Sequence, residues 1–140
     1  MDTLTPAAPV VRRPRISLWT LRAVITVHVL AAVAQPVLAG LFLTGDIDAI
    51  GVHGLIGSLL TLVGMAVIGV ALAYVLGGRG RLWVLPVAVL LFLADAFQIA
   101  AGYERQLELH IPLGVAIVVV SVLLAAWAWT PSAARPRSRR

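Results

Sequence analysis

Cysteine is absent from the 140-residue chain, which excludes disulfides, thiolate zinc sites, iron–sulfur clusters and cysteine nucleophiles together. Charge is scarce as well: 12% of residues are charged, against roughly a quarter in an ordinary soluble domain. Lysine does not occur, so the net charge of +5 rests on arginine alone. No phosphate loop, nucleophile elbow or zinc-protease helix is found, and nothing marks the chain as a soluble enzyme. What is present is apolar, with 61% hydrophobic residues and a mean hydropathy of +1.00. Such a chain does not stay disordered, and it has too little polar sequence to coat a soluble core of this size. It reads as a membrane protein.

Four long apolar runs cover Leu18–Leu43, Val52–Leu76, Leu82–Tyr103 and Leu109–Trp129. Each reaches the ~20 residues that a helix needs to cross a ~30 Å hydrocarbon core. The alternating ~10-residue segments of a β-barrel are missing. Short links force neighbouring spans to run antiparallel, so the expected fold is all-α, an integral membrane up-and-down four-helix bundle. The expected organisation is a disordered basic N-terminus over 1–16, a transmembrane domain over 17–130 and a disordered basic tail over 131–140.

Arg12, Arg13, Arg15 and Arg22 flank the start of the first span, Arg79 and Arg81 lie between the second and third, and Arg135, Arg137, Arg139 and Arg140 follow the fourth. These ten share one side. The other two links carry Asp46, Asp48, Glu104 and Glu108 with Arg105 alone. The positive-inside rule then puts both termini in the cytoplasm of a bacterial plasma membrane. Trp19, Trp83, Trp127 and Trp129 lie near the same face, as interfacial anchors do. The arginines serve as topology signals or hold anionic lipid, and charges beside membrane spans do not imply nucleic acid. A secretory signal is weighed at Ala32-Val33-Ala34, but Pro36 and the apolar run through Leu43 argue against cleavage.

The chain also repeats itself. The first and third spans carry Gln35 and Gln98 near their outer ends, each followed four residues later by a small residue, Ala39 and Gly102. The second and fourth spans open with His-x-x-x-Gly, as His53 to Gly57 and His110 to Gly114, and continue seven residues on with Gly64 and Ser121. Offsets of 4 and 11 return to nearly the same helix face, so each histidine heads a stripe of small residues. Such repeats commonly share a site between the halves. Spans two and four are parallel and expected across the bundle diagonal, where the two imidazoles face each other.

That pattern suits haem, whose iron takes axial imidazoles, with Gly57 and Gly114 giving the macrocycle room near the backbone. Arg105 and Tyr103 can meet propionates. Two other readings stand beside it: polar packing between helices, and a non-haem metal drawing on Asp46, Asp48, Glu104 and Glu108.

The segment Phe97–Trp127, with Gln98, Gly102 and the His110-x-x-x-Gly114 step, resembles the fourth-helix region of haem A synthase. That family is built from two four-helix halves, each with a histidine pair on its second and fourth helices. His53 and His110 match those positions, so the resemblance, which runs from Thr20 onward, implies axial ligation of a b-type haem. The chain departs from the family in having one four-helix set, no loop cysteines, Ile50 where an acidic residue precedes the histidine, and Gly54 where arginine follows it. These departures point away from synthase chemistry and from an enzyme. The same Gln and His-x-x-x-Gly features also resemble those of small, uncharacterised bacterial four-helix membrane proteins.

Two polar residues lie deeper. Asp95 is twelve residues past Trp83, ~18 Å along a helix, and His28 is nine past Trp19. A carboxylate at that depth is a functional candidate by default. His28 and Asp95 form either a polar clasp between the first and third helices, the favoured reading, or a proton relay or quinone-facing site. Pro36 is expected to bend the first helix, whereas Pro112 and Pro86 fall in first turns. The leading expectation is a small membrane protein that binds haem b and transfers electrons or handles haem, with a membrane redox complex or quinone as partner. The alternatives are a cofactor-free accessory subunit of a larger membrane complex and a proton or ion pathway through Asp95; an oligomer is compatible with each.

Overall fold

The structure, a computed structural model, describes residues 15–137. Residues 1–14 and 138–140, including Arg12, Arg13, Arg139 and Arg140 and most of the expected disordered head, lie outside the described residues. Four long helices follow one another: α1 (Ile16–Leu43), α2 (Asp48–Leu76), α3 (Val84–Tyr103) and α4 (Leu107–Ala128). Each is long and apolar enough to cross a membrane. Apolar residues cover all sides of these helices, and large ones such as Leu30, Leu90 and Leu123 stay exposed around the bundle. That is the surface a bilayer covers and water would penalise. The chain is a multi-pass membrane protein built as an antiparallel four-helix bundle.

Helices pack in a ring: α1 against α2 and α4, and α3 against α2 and α4. This leaves α1 and α3 on one diagonal and α2 and α4 on the other. The core is made of Leu21, Ile25, Val67, Tyr74, Leu91 and Leu124, all essentially buried.

The two hairpin turns share one construction. Asp46 N–H bonds to Leu41 O at 3.1 Å, and Gln106 N–H bonds to Ala101 O at 2.9 Å. Each closes over a left-handed residue, Gly45 (φ 107°) in the first and Arg105 (φ 57°) in the second. This is the glycine-favouring helix stop that satisfies orphan carbonyls, so the repeat seen in the spans extends to the turns. Asp46 also accepts from Ala49 N–H at 3.3 Å, and Asp48 lies in the first turn of α2, where a carboxylate opposes the helix dipole.

The opposite end, bearing both termini, differs from expectation. Residues 131–137 are tied back to the bundle through Ala133 and Arg137, whereas the sequence pointed to disorder throughout 131–140. Pro131–Ala134 form a short helix, α5, with Ala133 fully buried. Tyr74, itself fully buried, donates to Ala133 O at 2.9 Å, and Arg137 N–H donates to Arg79 O at 2.8 Å. Gly80 lies so close to the Tyr74 ring that a Cβ there would be 2.2 Å from Cε1. A pattern reading sees proline, alanine and arginine; it does not see a tyrosine ring waiting for a carbonyl.

Arg22 also departs from the simple picture of a headgroup cation. It is buried, donates from Nε to Ala128 O at 2.8 Å, and lies 4.8 and 4.9 Å from the Trp19 and Trp129 ring centres. It caps the C-terminus of α4, where the dipole favours a cation. Pro36 leaves α1 helical from Ile16 to Leu43. Pro112 lies inside α4 rather than in its first turn, because α4 starts at Leu107, earlier than the apolar run.

Candidate functional site

The ring order of the helices sets α2 and α4 across the bundle from each other, and side chains from their first two turns meet near the hairpin end. There the His53 and His110 rings stand 6.0 Å apart, centre to centre, with planes tilted by 51°. Each ring is held from the preceding helix of its own hairpin. His53 Nδ1 lies 3.2 Å from Gln35 O, and His110 Nδ1 lies 2.9 Å from Gln98 O. A carbonyl only accepts, so in both rings Nδ1 carries the proton. The neutral ring then has its lone pair on Nε2, which is the arrangement that prepares an imidazole for a metal. Among the described residues, neither Nε2 has a hydrogen-bond partner.

The glycines of the repeat turn out to serve the side chains opposite them. At Gly114 a Cβ would be 2.8 Å from Gln98 Nε2, and at Gly57 it would be 3.6 Å from Gln35 Oε1. The space expected to be open beneath each histidine therefore receives a glutamine. Gln98 uses it to donate from Nε2 to His110 O at 2.8 Å, so Gln98 and His110 are joined twice. At Gly102 a Cβ would be 2.9 Å from His110 Cε1, and this small residue is what gives the ring its place.

Two spaces adjoin the histidine pair. A cleft of about 550 Å³ opens at the hairpin end, walled by Phe42, Ile50, Ile99 and Leu107, with Tyr103 and Arg105 at its rim. A small cavity of about 60 Å³ lies on the other side, reached by His53, His110, Gln35, Gln98 and Asp95. Gln35 Nε2 and Gln98 Oε1 are buried without partners.

Below that cavity the other diagonal is crossed. His28 of α1 and Asp95 of α3 meet at 2.9 Å (Nε2 to Oδ2), both buried. The clasp expected between the first and third helices is present. A third member was not expected: Ser121 Oγ lies 3.2 Å from His28 Nδ1 and donates to Ile117 O at 2.6 Å. The stripe from His110 through Gly114 to Ser121 placed Ser121 on the right face, but only the packed bundle shows that His28 reaches it. Gly64, the matching position on α2, makes room for Asp95, whose Oδ2 would be 2.8 Å from a Cβ there.

The acidic residues of the hairpin turns do not join the site. Asp46, Asp48, Glu104 and Glu108 are exposed, and among the described residues no three His, Asp or Glu side chains converge as a metal site would require. A non-haem centre built from them loses its basis. No family model matches the chain, and no curated protein or solved structure matches it either.

Proposed function

We propose that this membrane protein binds a b-type haem between His53 and His110 and serves in electron transfer or haem handling. The observation that carries the reading is the paired imidazole geometry. The two rings stand 6.0 Å apart, centre to centre, with planes tilted by 51°, close enough that both could hold one haem iron. Both Nδ1 atoms are engaged by backbone carbonyls, which leaves two Nε2 lone pairs for ligation. The adjoining cleft of about 550 Å³ falls within the ~300–1,000 Å³ range of cofactor and ligand sites.

In this reading Gln35 and Gln98 orient the ligands through their backbone carbonyls, and Gly114 acts by admitting the Gln98 side chain. Phe42, Ile50, Ile99 and Leu107 keep the cleft apolar. Arg105 offers a guanidinium to anionic groups at the rim. It does so from a left-handed backbone position that glycine would occupy with less strain. A haem ligated there supplies one-electron chemistry at iron. The resemblance to a haem A synthase half points to the same two histidines. The arginine distribution supports a plasma-membrane placement with the hairpin end, and so the site, outside the cytoplasm.

The test is the visible spectrum of protein purified from haem-replete cells. Reduced-minus-oxidised haem bands are expected, and they should vanish in His53→Ala and in His110→Ala. A colourless wild-type protein would overturn the reading.

A further inference from the structure

We propose that the small cavity is a blind, water-lined passage. It connects the cleft at the hairpin end to the buried His28–Asp95 pair and makes that pair a proton-holding site reached from one end of the bundle only.

The cavity and the cleft share His53, His110 and Ile99 as walls, so the two imidazoles stand between them. Its volume of about 60 Å³ exceeds several times the ~10–15 Å³ that one water requires. Two buried, unpartnered polar atoms, Gln35 Nε2 and Gln98 Oε1, belong to glutamines that line it. One is a donor and the other an acceptor, the pair of partners that holds water in a buried site. Asp95 lines the far wall.

The hydrogen bonds fix how many protons the pair holds. Ser121 has one hydroxyl hydrogen and gives it to Ile117 O at 2.6 Å. It therefore accepts from His28, which must carry a proton on Nδ1. The 2.9 Å contact between His28 Nε2 and Asp95 Oδ2 needs a proton of its own. Whichever partner owns it, the pair is neutral overall and can pass a proton on to water in the cavity. The titratable groups around Asp95 are His28 from α1 and, across the cavity, His53 from α2 and His110 from α4; Gly64 of α2 packs against Asp95, and Ser121 of α4 meets the far side of His28. Toward the terminal end the next layer is apolar, made of Ile25, Val67, Leu21 and Leu124, none more than 2% exposed, and it separates the pair from Arg22 and Tyr74, whose side chains are bonded to Ala128 O and Ala133 O.

The absence of cysteine makes a clean test possible on the full chain in nanodiscs. Protein with ¹⁵N-labelled histidine is moved into D₂O, and loss of the His28 Nδ1 proton is followed by NMR. Exchange within minutes is expected, while the backbone amides of Val67 and Leu124 persist for hours. Gly54 lines the cleft, and a Cβ there meets nothing within 4 Å, so Gly54→Cys folds and accepts a bulky maleimide. That label should slow His28 exchange by at least an order of magnitude. The same label on exposed Leu76→Cys, at the other end of α2, should leave it unchanged. A His28 proton as persistent as the backbone amides would overturn the proposal, as would equal slowing from both labels. The inference stands on the cavity and its hydrogen bonds, so a colourless protein that exchanges in this way would sink the haem reading and leave this one intact.

Discussion

Gly102→Ala adds one methyl group to a helix, and its predicted effect is large because of where that group lands. The new Cβ would lie 2.9 Å from Cε1 and 3.0 Å from Nδ1 of His110, whereas non-bonded carbon atoms settle at about 3.5–4.0 Å. The ring must recoil by about 0.5–1 Å. That movement stretches the 2.9 Å bond from Nδ1 to Gln98 O to the edge of what counts as a hydrogen bond. Overpacking costs about 1–3 kcal/mol and the weakened hydrogen bond about 1 kcal/mol, offset by at most ~1 kcal/mol from the better helix propensity of alanine. We expect a net loss of about 2 kcal/mol. Gly54→Ala is the control, since its Cβ meets nothing within 4 Å, and it should be neutral or slightly stabilising. Thermal unfolding of both variants in one detergent, followed by circular dichroism, measures the difference. The Nδ1 proton resonance of His110 reports the ring itself. If haem is bound, an altered outer hydrogen bond of this kind should weaken ligation about 10–100-fold. Equal stability of the two variants, with an unmoved His110 resonance, would refute the reasoning.

Asp95→Ala should cost about 3 kcal/mol, because it leaves His28 buried and unpaired. Asp95→Asn keeps a polar partner in place and should lose about 1 kcal/mol; an alanine variant no worse than Leu90→Ala at a lipid-facing position would contradict the clasp. Tyr74→Phe removes the donor to Ala133 O and the acceptor of Arg81 N–H. It should release the 131–137 segment, read as faster tryptic cleavage after Arg137 in detergent, and unchanged cleavage would mean the tyrosine does not hold the tail. A reporter active only in the cytoplasm should work when fused to the C-terminus and fail when inserted at Gly45; the reverse pattern would invert the proposed orientation.

Much of this molecule follows from one-dimensional facts. Four apolar runs of membrane length with short links leave few folds open, and a bilayer demands that each backbone satisfy itself as a helix. The mirrored Gln and His-x-x-x-Gly spacing placed both histidines on inward faces at one depth, because helix periodicity converts spacing into direction. The depth of His28 and Asp95 was likewise a matter of counting residues. What counting does not supply is the partner. Gly57 and Gly114 read as open space for a ligand, but Gln35 and Gln98 enter those gaps from neighbouring helices. Ser121 read as part of a smooth stripe, yet it meets His28 from across the bundle. The tail read as disordered on composition, yet Tyr74 and Arg79 bind its backbone. Sequence by itself determined which segments cross the membrane and how deep each polar residue lies, since insertion in lipid is a property of each helix. Only tertiary structure decided which inward groups meet, because that depends on the order and rotation of four helices about a common axis, set by side-chain packing between segments distant in the chain.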